Sequence, residues 1–386
     1  MSEETIPRIP NLGVPALRFV LSLPHITDDA RESSKGKLLE AIKKDDMAPY
    51  YRLVAADLKF APGSVDIDAM EQRNTEELRK LEERLQDAEQ NLGETEVTET
   101  LRLKAQYLAQ IGEKEKALSA YRVAIDKTGP LGSRIDMVFA TIRIGFFFQD
   151  NDIIARNIEK VKSLIEEGGD WDRRNRLKVY EGIHCLANRD FKGAVNLLLD
   201  SLATFTSTEL MDYKDFVRYT VLASALTLKR PDIKKKVINS PEILEVIHEI
   251  QYAEDFVTSL YNSDYKKFFA SLALVEKSLK TDWILYPHHR YYVREMRIIA
   301  YTQLLESYRS LTIESMANSF GVSEEYVDQD LARFIAAGRL NAVIDKVGGI
   351  VETNRPDAKN HQYQTAIKSG DALLNRLQKL TRVITA

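Results

Sequence analysis

The stretch SLTIESMANSFGVSEEYVDQDLARFIAAGRLNAVIDKVGGIVETNRPD, residues 310–357, decides how this chain is read. Ile313, Met316, Ala317 and Phe320 space as one face of a helix. Gly321 supplies a left-handed turn residue, and Ser323 can cap the helix that follows. Val327, Leu331, Phe334 and Ile335 give that second helix its apolar face, and Gly338 ends it. Residues 340–346 and 350–353 read as two strands joined through Gly348-Gly349, a pair that permits a tight hairpin. Pro356 closes the module. Helix, turn, helix and a two-stranded wing make a winged helix, a shape often set into DNA. Here, however, eight acids (Glu314, Glu324, Glu325, Asp328, Asp330, Asp345, Glu352, Asp357) face four bases (Arg333, Arg339, Lys346, Arg355), and the reading helix opens on Glu324, Glu325 and Asp328. Phosphate neutralisation supplies most nucleic-acid affinity and needs Lys and Arg at those positions. The module is expected to grip protein.

Outward from it, the pattern stays helical. Beyond Pro356, Tyr363, Ile367, Leu373, Leu377, Leu380 and Ile384 continue an apolar stripe, predicting a terminal helix of about 25 residues. That stripe either packs back on its own domain or bundles with helices of other chains. Towards the N-terminus, Ala105, Leu108, Gly112, Ala117, Tyr121 and Ala124 fall at the offsets of tetratricopeptide-like helix pairs. A second copy runs from Ile135 through Gly145 to Leu164, and a third from Leu177 through Gly182, Ala194 and Leu198 to Ser201. Pairs of this size cannot bury their apolar faces alone and are expected to stack into a superhelix with a concave surface. The regions 213–229 and 243–279 are helical but carry no repeat register. Before the repeats, Leu78, Leu81, Leu85, Ala88 and Leu92 form a coiled-coil-like seam, either packed on its own domain or carried on a projecting arm; Pro62 and Gly63 break the chain ahead of it. The expected fold is mainly α: a tetratricopeptide-like right-handed helical solenoid, a winged helix and a C-terminal helix. The expected domains are an N-terminal helical arm over 1–95, the solenoid over 96–300, the winged helix over 301–357 and a bundling helix over 358–386.

The 386 residues are enough for two or three domains, and a charged content of 29% with a net charge of −4 is ordinary for a globular chain. No global field draws it to nucleic acid or acidic membranes. No apolar run approaches the roughly 20 residues that cross a bilayer. A single cysteine, Cys185, rules out an intrachain disulfide framework and is expected to be a buried, inert thiol. The N-terminus lacks a signal-peptide pattern, which points to the cytoplasm, the nucleus or both.

Catalytic chemistry is not visible. None of the six histidines stands at metal-ligand spacing from another, and no phosphate-cradling glycine loop is present. No catalytic residue, cofactor or metal is expected. One basic cluster, Arg173, Arg174, Arg176 and Lys178 beside Trp171, reads as a solvated helix face, as a docking patch for an acidic protein segment, or as an RNA contact.

Helical repeats, then a winged helix, then a terminal helix is the order found in PCI-domain proteins. The runs MAPYY (47–51), SLIEEGGDWDRRNRLKVYEG (163–182), HHRYYVREMR (288–297), LLESYRSLT (304–312), RFIAAGRL (333–340) and IDKVGGIVETNRPD (344–357) resemble, within that family, the subunits of the proteasome lid. The resemblance spans nearly the whole chain and is weaker over the first 35 or so residues and over 232–280. It implies a non-catalytic scaffold of the 26S proteasome regulatory-particle lid. It also implies winged helices joined edge to edge, here through strands carrying Val343, Ile344, Ile350 and Val351, and a bundle built from Ile367, Leu373, Leu377 and Leu380. The partners so implied are other PCI subunits, the lid deubiquitinase and the proteasomal ATPase ring, with no membrane and no direct nucleic acid. Rival readings are a subunit of the paralogous signalosome, an RNA-associated PCI module, and an unrecognised hydrolase marked by a pocket of perturbed titratable groups.

Overall fold

The computed structural model describes residues 6–24, 26–58, 66–91, 93–353 and 358–384, excepting the side chains of 358–361 and 383–384. Pro62, Gly63, Leu92, Arg355, Pro356 and Asp357, and the Ile384 side chain, lie outside the described residues. The fold is mainly α-helical, with one three-stranded sheet among the described residues. Two compact units are present, Met1–Asn262 with Ala270–Arg294 and Ser263–Phe269 with Glu295–Ala386.

The first unit begins with α1 (Gly13–Ser22), α2 (Asp28–Lys44) and α3 (Ala48–Leu58), which enclose Val14, Leu38, Ile42, Tyr50 and Val54. Next comes α4 (Ile67–Asn91), followed by α5 (Glu94–Gln110). Along α4 the seam leucines Leu78, Leu81 and Leu85 are half-buried and Ala88 is buried. Tyr107 on α5 donates its hydroxyl to Asn74 at 2.9 Å, and Lys104 pairs with Glu82 at 2.8 Å. The seam is therefore covered within the chain, and α4 is a packed helix rather than a projecting arm.

The repeats appear as three helix pairs: α5 with α6 (Lys114–Lys127), α7 (Leu131–Phe148) with α8 (Asn151–Gly168), and α9 (Trp171–Ala187) with α10 (Phe191–Asp200). Small residues sit where the helices of a pair cross. A Cβ on Gly145 would stand 2.7 Å from Cγ1 of Ile154, and one on Gly182 would stand 2.7 Å from Cδ2 of Leu198. Three aspartates twenty residues apart, Asp150, Asp170 and Asp190, cap α8, α9 and α10 by accepting the N–H of Ile153, Arg173 and Gly193. After them come α11 (Tyr213–Thr227), α12 (Arg230–Ile233) running into a π-helical turn at Lys234–Ile238, α13 (Pro241–Ile247), α14 (Ala253–Asn262), α15 (Tyr265–Thr281) and α16 (His289–Ser307).

An ionic network runs through the repeats. Arg176 is 2% exposed and donates to Oε1 of Glu209, itself 2% exposed, from Nε at 3.1 Å and Nη2 at 2.9 Å. Tyr180 donates to the same oxygen at 3.0 Å, and Arg143 donates to the Tyr180 hydroxyl at 3.1 Å. Burial, then the Glu209 charge, pushes the Tyr180 hydroxyl far up, so it remains a proton donor. Arg173 and Arg176 share Asp136 of α7, at 2.6 and 3.1 Å. Arg143 also donates to the Ile9 carbonyl, pinning the N-terminal segment onto α7. A second node ties α11 to the turn after α15: Asp282 accepts from Arg218 at 2.6 Å and Tyr219 at 2.8 Å.

The second unit holds the winged helix: β1 (Ser310–Thr312), α17 (Ile313–Phe320), α18 (Glu324–Ala336), β2 (Ala342–Asp345), β3 (Ile350–Thr353) and then α19 (Ala358–Ile384). The expected helix–turn–helix is in place, with Gly321 at φ +68° and the Ser323 hydroxyl accepting from the Tyr326 N–H. Met316, Phe320, Val327, Leu331 and Phe334 are buried, Phe320 and Phe334 against Tyr301; Ile313 and Ile335 stay half-buried. The sheet has one strand more than the sequence suggested. β1 pairs with β3, giving the order β1-β3-β2, both pairings antiparallel.

Gly145→Val should overpack the α7–α8 crossing and lower the urea-unfolding midpoint by about 1–3 kcal/mol equivalent. Glu209→Ala strands buried Arg176 and should cost more, about 3–5 kcal/mol, by the same measurement.

Candidate interaction surfaces

The β2 edge follows from the register. Thr353 N–H donates to the Arg309 carbonyl and Ile313 N–H to the Gly349 carbonyl. Odd-numbered residues of β3 therefore aim their backbone groups at β1, and even-numbered ones at β2. The pairs Val343–Glu352 and Asp345–Ile350 then exchange bonds within the sheet. Ala342 and Ile344 turn their amides and carbonyls outward, where no strand pairs with them among the described residues. Such an edge is a template for strand addition. Val343 is 53% exposed, Ile344 is half-buried and Ala342 is buried. Ile350 and Val351, expected at the edge, are not there. β3 is the central strand, bonded on both sides, and Val351 is fully buried in the core. Ala342, which the sequence did not single out, takes their place through its backbone.

The terminal helix is bare. Every described side chain of α19 from 362 to 382 is exposed. Tyr363, Ile367, Leu373, Leu374, Leu377 and Leu380 lie between 49% and 66% exposed. At 100° per residue they span an arc of about 140°, wider than the seam of a two-stranded coiled coil. Among the described residues nothing covers this stripe, and packing back on its own domain is not seen. Leu374 belongs to the stripe and was missed in the sequence.

The exposed face of α18 is acidic at its start. Glu324 and Glu325 are exposed, and Asp328 pairs with Lys346 at 3.2 Å. Asp330, by contrast, is a buried partner of Arg297 at 2.6 Å.

The basic cluster of α9 is not presented as one exposed face. Arg176 is interior, Arg173 is held between Asp136 and Asp170, and Lys178 stands 3.7 Å from Asp200. Only Arg174 projects, without an ion pair among the described residues. It adjoins Trp171, which is 64% exposed. The sequence showed four cations; the acids that take up three of them lie 22 to 40 positions away or on the preceding cap.

A cavity of about 380 Å³ in the first unit is lined by Arg8, Glu209, Asp212, Asp215, Arg218, Tyr219 and Asp282, among others. Its charges pair mutually, Arg8 with Asp212 at 2.7 Å and Arg218 with Asp282 at 2.6 Å, and no histidine, cysteine or lysine lines it. His288 donates from Nε2 to the Ala187 carbonyl at 2.8 Å and His289 from Nδ1 to the Tyr286 carbonyl at 2.6 Å. Cys185 is half-buried rather than buried, and desolvation pushes its thiol up, away from the reactive thiolate. Among the described residues no cluster of histidine, cysteine or carboxylates could hold a metal, and no helix is long and apolar enough to cross a membrane.

Comparison with known proteins agrees with this layout. Residues 65–236 match the profile of 26S proteasome subunit RPN7, residues 258–355 that of the PCI domain, and residues 362–384 that of the RPN7/PSMD6 C-terminal helix. The rice protein 26S proteasome non-ATPase regulatory subunit 6 is 49% identical, over 97% of this chain and 96% of its own length. Its Arabidopsis thaliana homolog is 48% identical, over 97% of each. Regulatory subunit RPN7 of Saccharomyces cerevisiae is 39% identical, over 98% of this chain and 94% of its own length. The chain thus belongs to the family of 26S proteasome non-ATPase regulatory subunit 6, the Rpn7 family.

Proposed function

We propose that the chain is a non-catalytic structural subunit of the 26S proteasome regulatory-particle lid, holding its neighbours in place for ATP-dependent degradation of ubiquitinated proteins. The observation that carries this reading is the uncovered apolar stripe of α19. A helix with six large apolar side chains in water is costly by about 1.5–3 kcal/mol for each one left unburied, and partner helices relieve that cost. The free β2 edge supplies a second, independent contact, suited to the winged helix of another PCI subunit. The acidic opening of α18 favours protein over nucleic acid as its neighbour. Within the particle we assign bundling to residues 358–386, lateral pairing to the winged helix of 301–357, and reach to the helices before them. The partners are other PCI subunits of the lid, the lid deubiquitinase and the ATPase ring, and the sites of action are cytoplasm and nucleus. Peptide and isopeptide chemistry belongs to those partners.

Leu373→Asp with Leu377→Asp should leave the isolated chain folded by circular dichroism, since both side chains are already in water. In the assembled bundle each aspartate would cost at least about 2 kcal/mol. Native gels should then show the double variant missing from full-size particles. Ile344→Pro removes an outward amide at an edge position where proline is tolerated. It should preserve the fold and weaken binding to the strand-adding neighbour by about tenfold, measured by titration of the purified subunits.

A further inference from the structure

The run KRPDIKKK at 229–236 places five cations and one acid within eight residues of a chain whose net charge is −4. The fold fixes how they are presented. Ile233 and Val237, one helical turn apart, are buried at 5% and 1% exposure and anchor α12 and the π-helical turn to the body of the unit. Lys229, Arg230, Lys234, Lys235 and Lys236 are all exposed on the other side. The ring of Tyr261 braces two of them: the Arg230 guanidinium lies 5.2 Å and the Lys234 ammonium 5.4 Å from its centroid. Arg230 also donates to the Tyr261 carbonyl.

Among the described residues the lysine charge is not compensated locally: no described carboxylate, Asp232 included, lies within ion-pair distance of Lys229, Lys234, Lys235 or Lys236. Three acids that follow are engaged elsewhere: Glu242 accepts from the Ser240 hydroxyl, Glu249 pairs with Lys214, and Glu254 with His248. A π-turn, rare in proteins and frequent at functional sites, fans three consecutive lysines outward here.

We propose that the patch formed by Lys229, Arg230, Lys234, Lys235 and Lys236 docks a short acidic segment of a partner protein. At 1.5 Å per residue the cations spread over about 10 Å, the reach of three to four residues of extended chain. Clustered glutamates or aspartates on such a segment meet the ammonium groups one for one. Single-stranded nucleic acid fits less well, because its binders offer aromatic faces for base stacking, and the one ring here is already faced by Arg230 and Lys234. The inference does not rest on the proposed role in the proteasome.

The test is fluorescence anisotropy of the full chain with a labelled hexaglutamate peptide, beside hexaglutamine and hexauridylate of equal length. Wild type should bind hexaglutamate, more weakly as sodium chloride rises from about 50 to about 300 mM, and should not bind hexaglutamine. Lys234→Ala, Lys235→Ala and Lys236→Ala together should weaken binding about tenfold. The exposed lysines of α2 serve as the control for general electrostatics, and Lys37→Ala, Lys43→Ala and Lys44→Ala together should leave binding within about twofold. Alanine is a strong helix former, and a parallel set of Lys→Gln variants guards against any loss of fold. The proposal is overturned if wild type does not bind hexaglutamate, if both triple variants lose affinity equally, or if hexauridylate binds as tightly and responds to the same substitutions.

Discussion

An amphipathic helix needs cover for its apolar face, and this chain is organised by how each face finds it. In the first unit the cover is internal. The α4 seam lies on its own unit, and each helix pair from α5 to α10 closes through small residues such as Gly145 and Gly182. The polar groups that this stacking buries are satisfied together. Glu209 takes Arg176 and Tyr180, and Asp136 takes Arg173 and Arg176, so successive repeats are locked by charge as well as by area. Buried ion pairs of this kind add little net stability but penalise any other arrangement of the same helices. The consequence is a precise internal packing with few degrees of freedom.

In the second unit the same need is left open. α17 and α18 pack on each other, with Phe320 and Phe334 against Tyr301, and β3 is saturated by β1 and β2. The outer side of β2 and the whole of α19 then remain, one presenting backbone groups and the other presenting leucines. These are complementary kinds of adhesion. Backbone pairing sets register and direction, and the apolar stripe supplies area. A subunit that is satisfied internally through its repeats and unsatisfied at its C-terminal end is built to be placed by others, which is the physical content of calling it a scaffold.

Much of this was legible in the residues. The spacing of Met316, Phe320, Val327, Leu331 and Phe334, with Gly321 and Ser323 between, specified the helix–turn–helix, because local periodicity and capping decide it. The α19 stripe was legible for the same reason. β1 was not: Ser310–Thr312 is three residues long, too short to alternate, and exists only because β3 offers it an edge. Strand order is likewise a tertiary property, so Ile350 and Val351 were placed at an edge that belongs to β2. The cluster at Arg173–Lys178 misled because its acids come from α7, from α10 and the segment after it, and from a helix cap. Conversely, the twenty-residue recurrence of Asp150, Asp170 and Asp190 was present in the sequence and marks three helix starts.

The central claim is that this chain works as one part of a larger particle. The most direct measurement is native mass spectrometry of the tagged chain, isolated gently from its own cells at full particle size. The account predicts a particle that contains proteasomal ATPases and the lid subunits, with this chain present in it. Recovery of the chain alone, or with signalosome or ribosomal proteins in place of proteasomal ones, would contradict it.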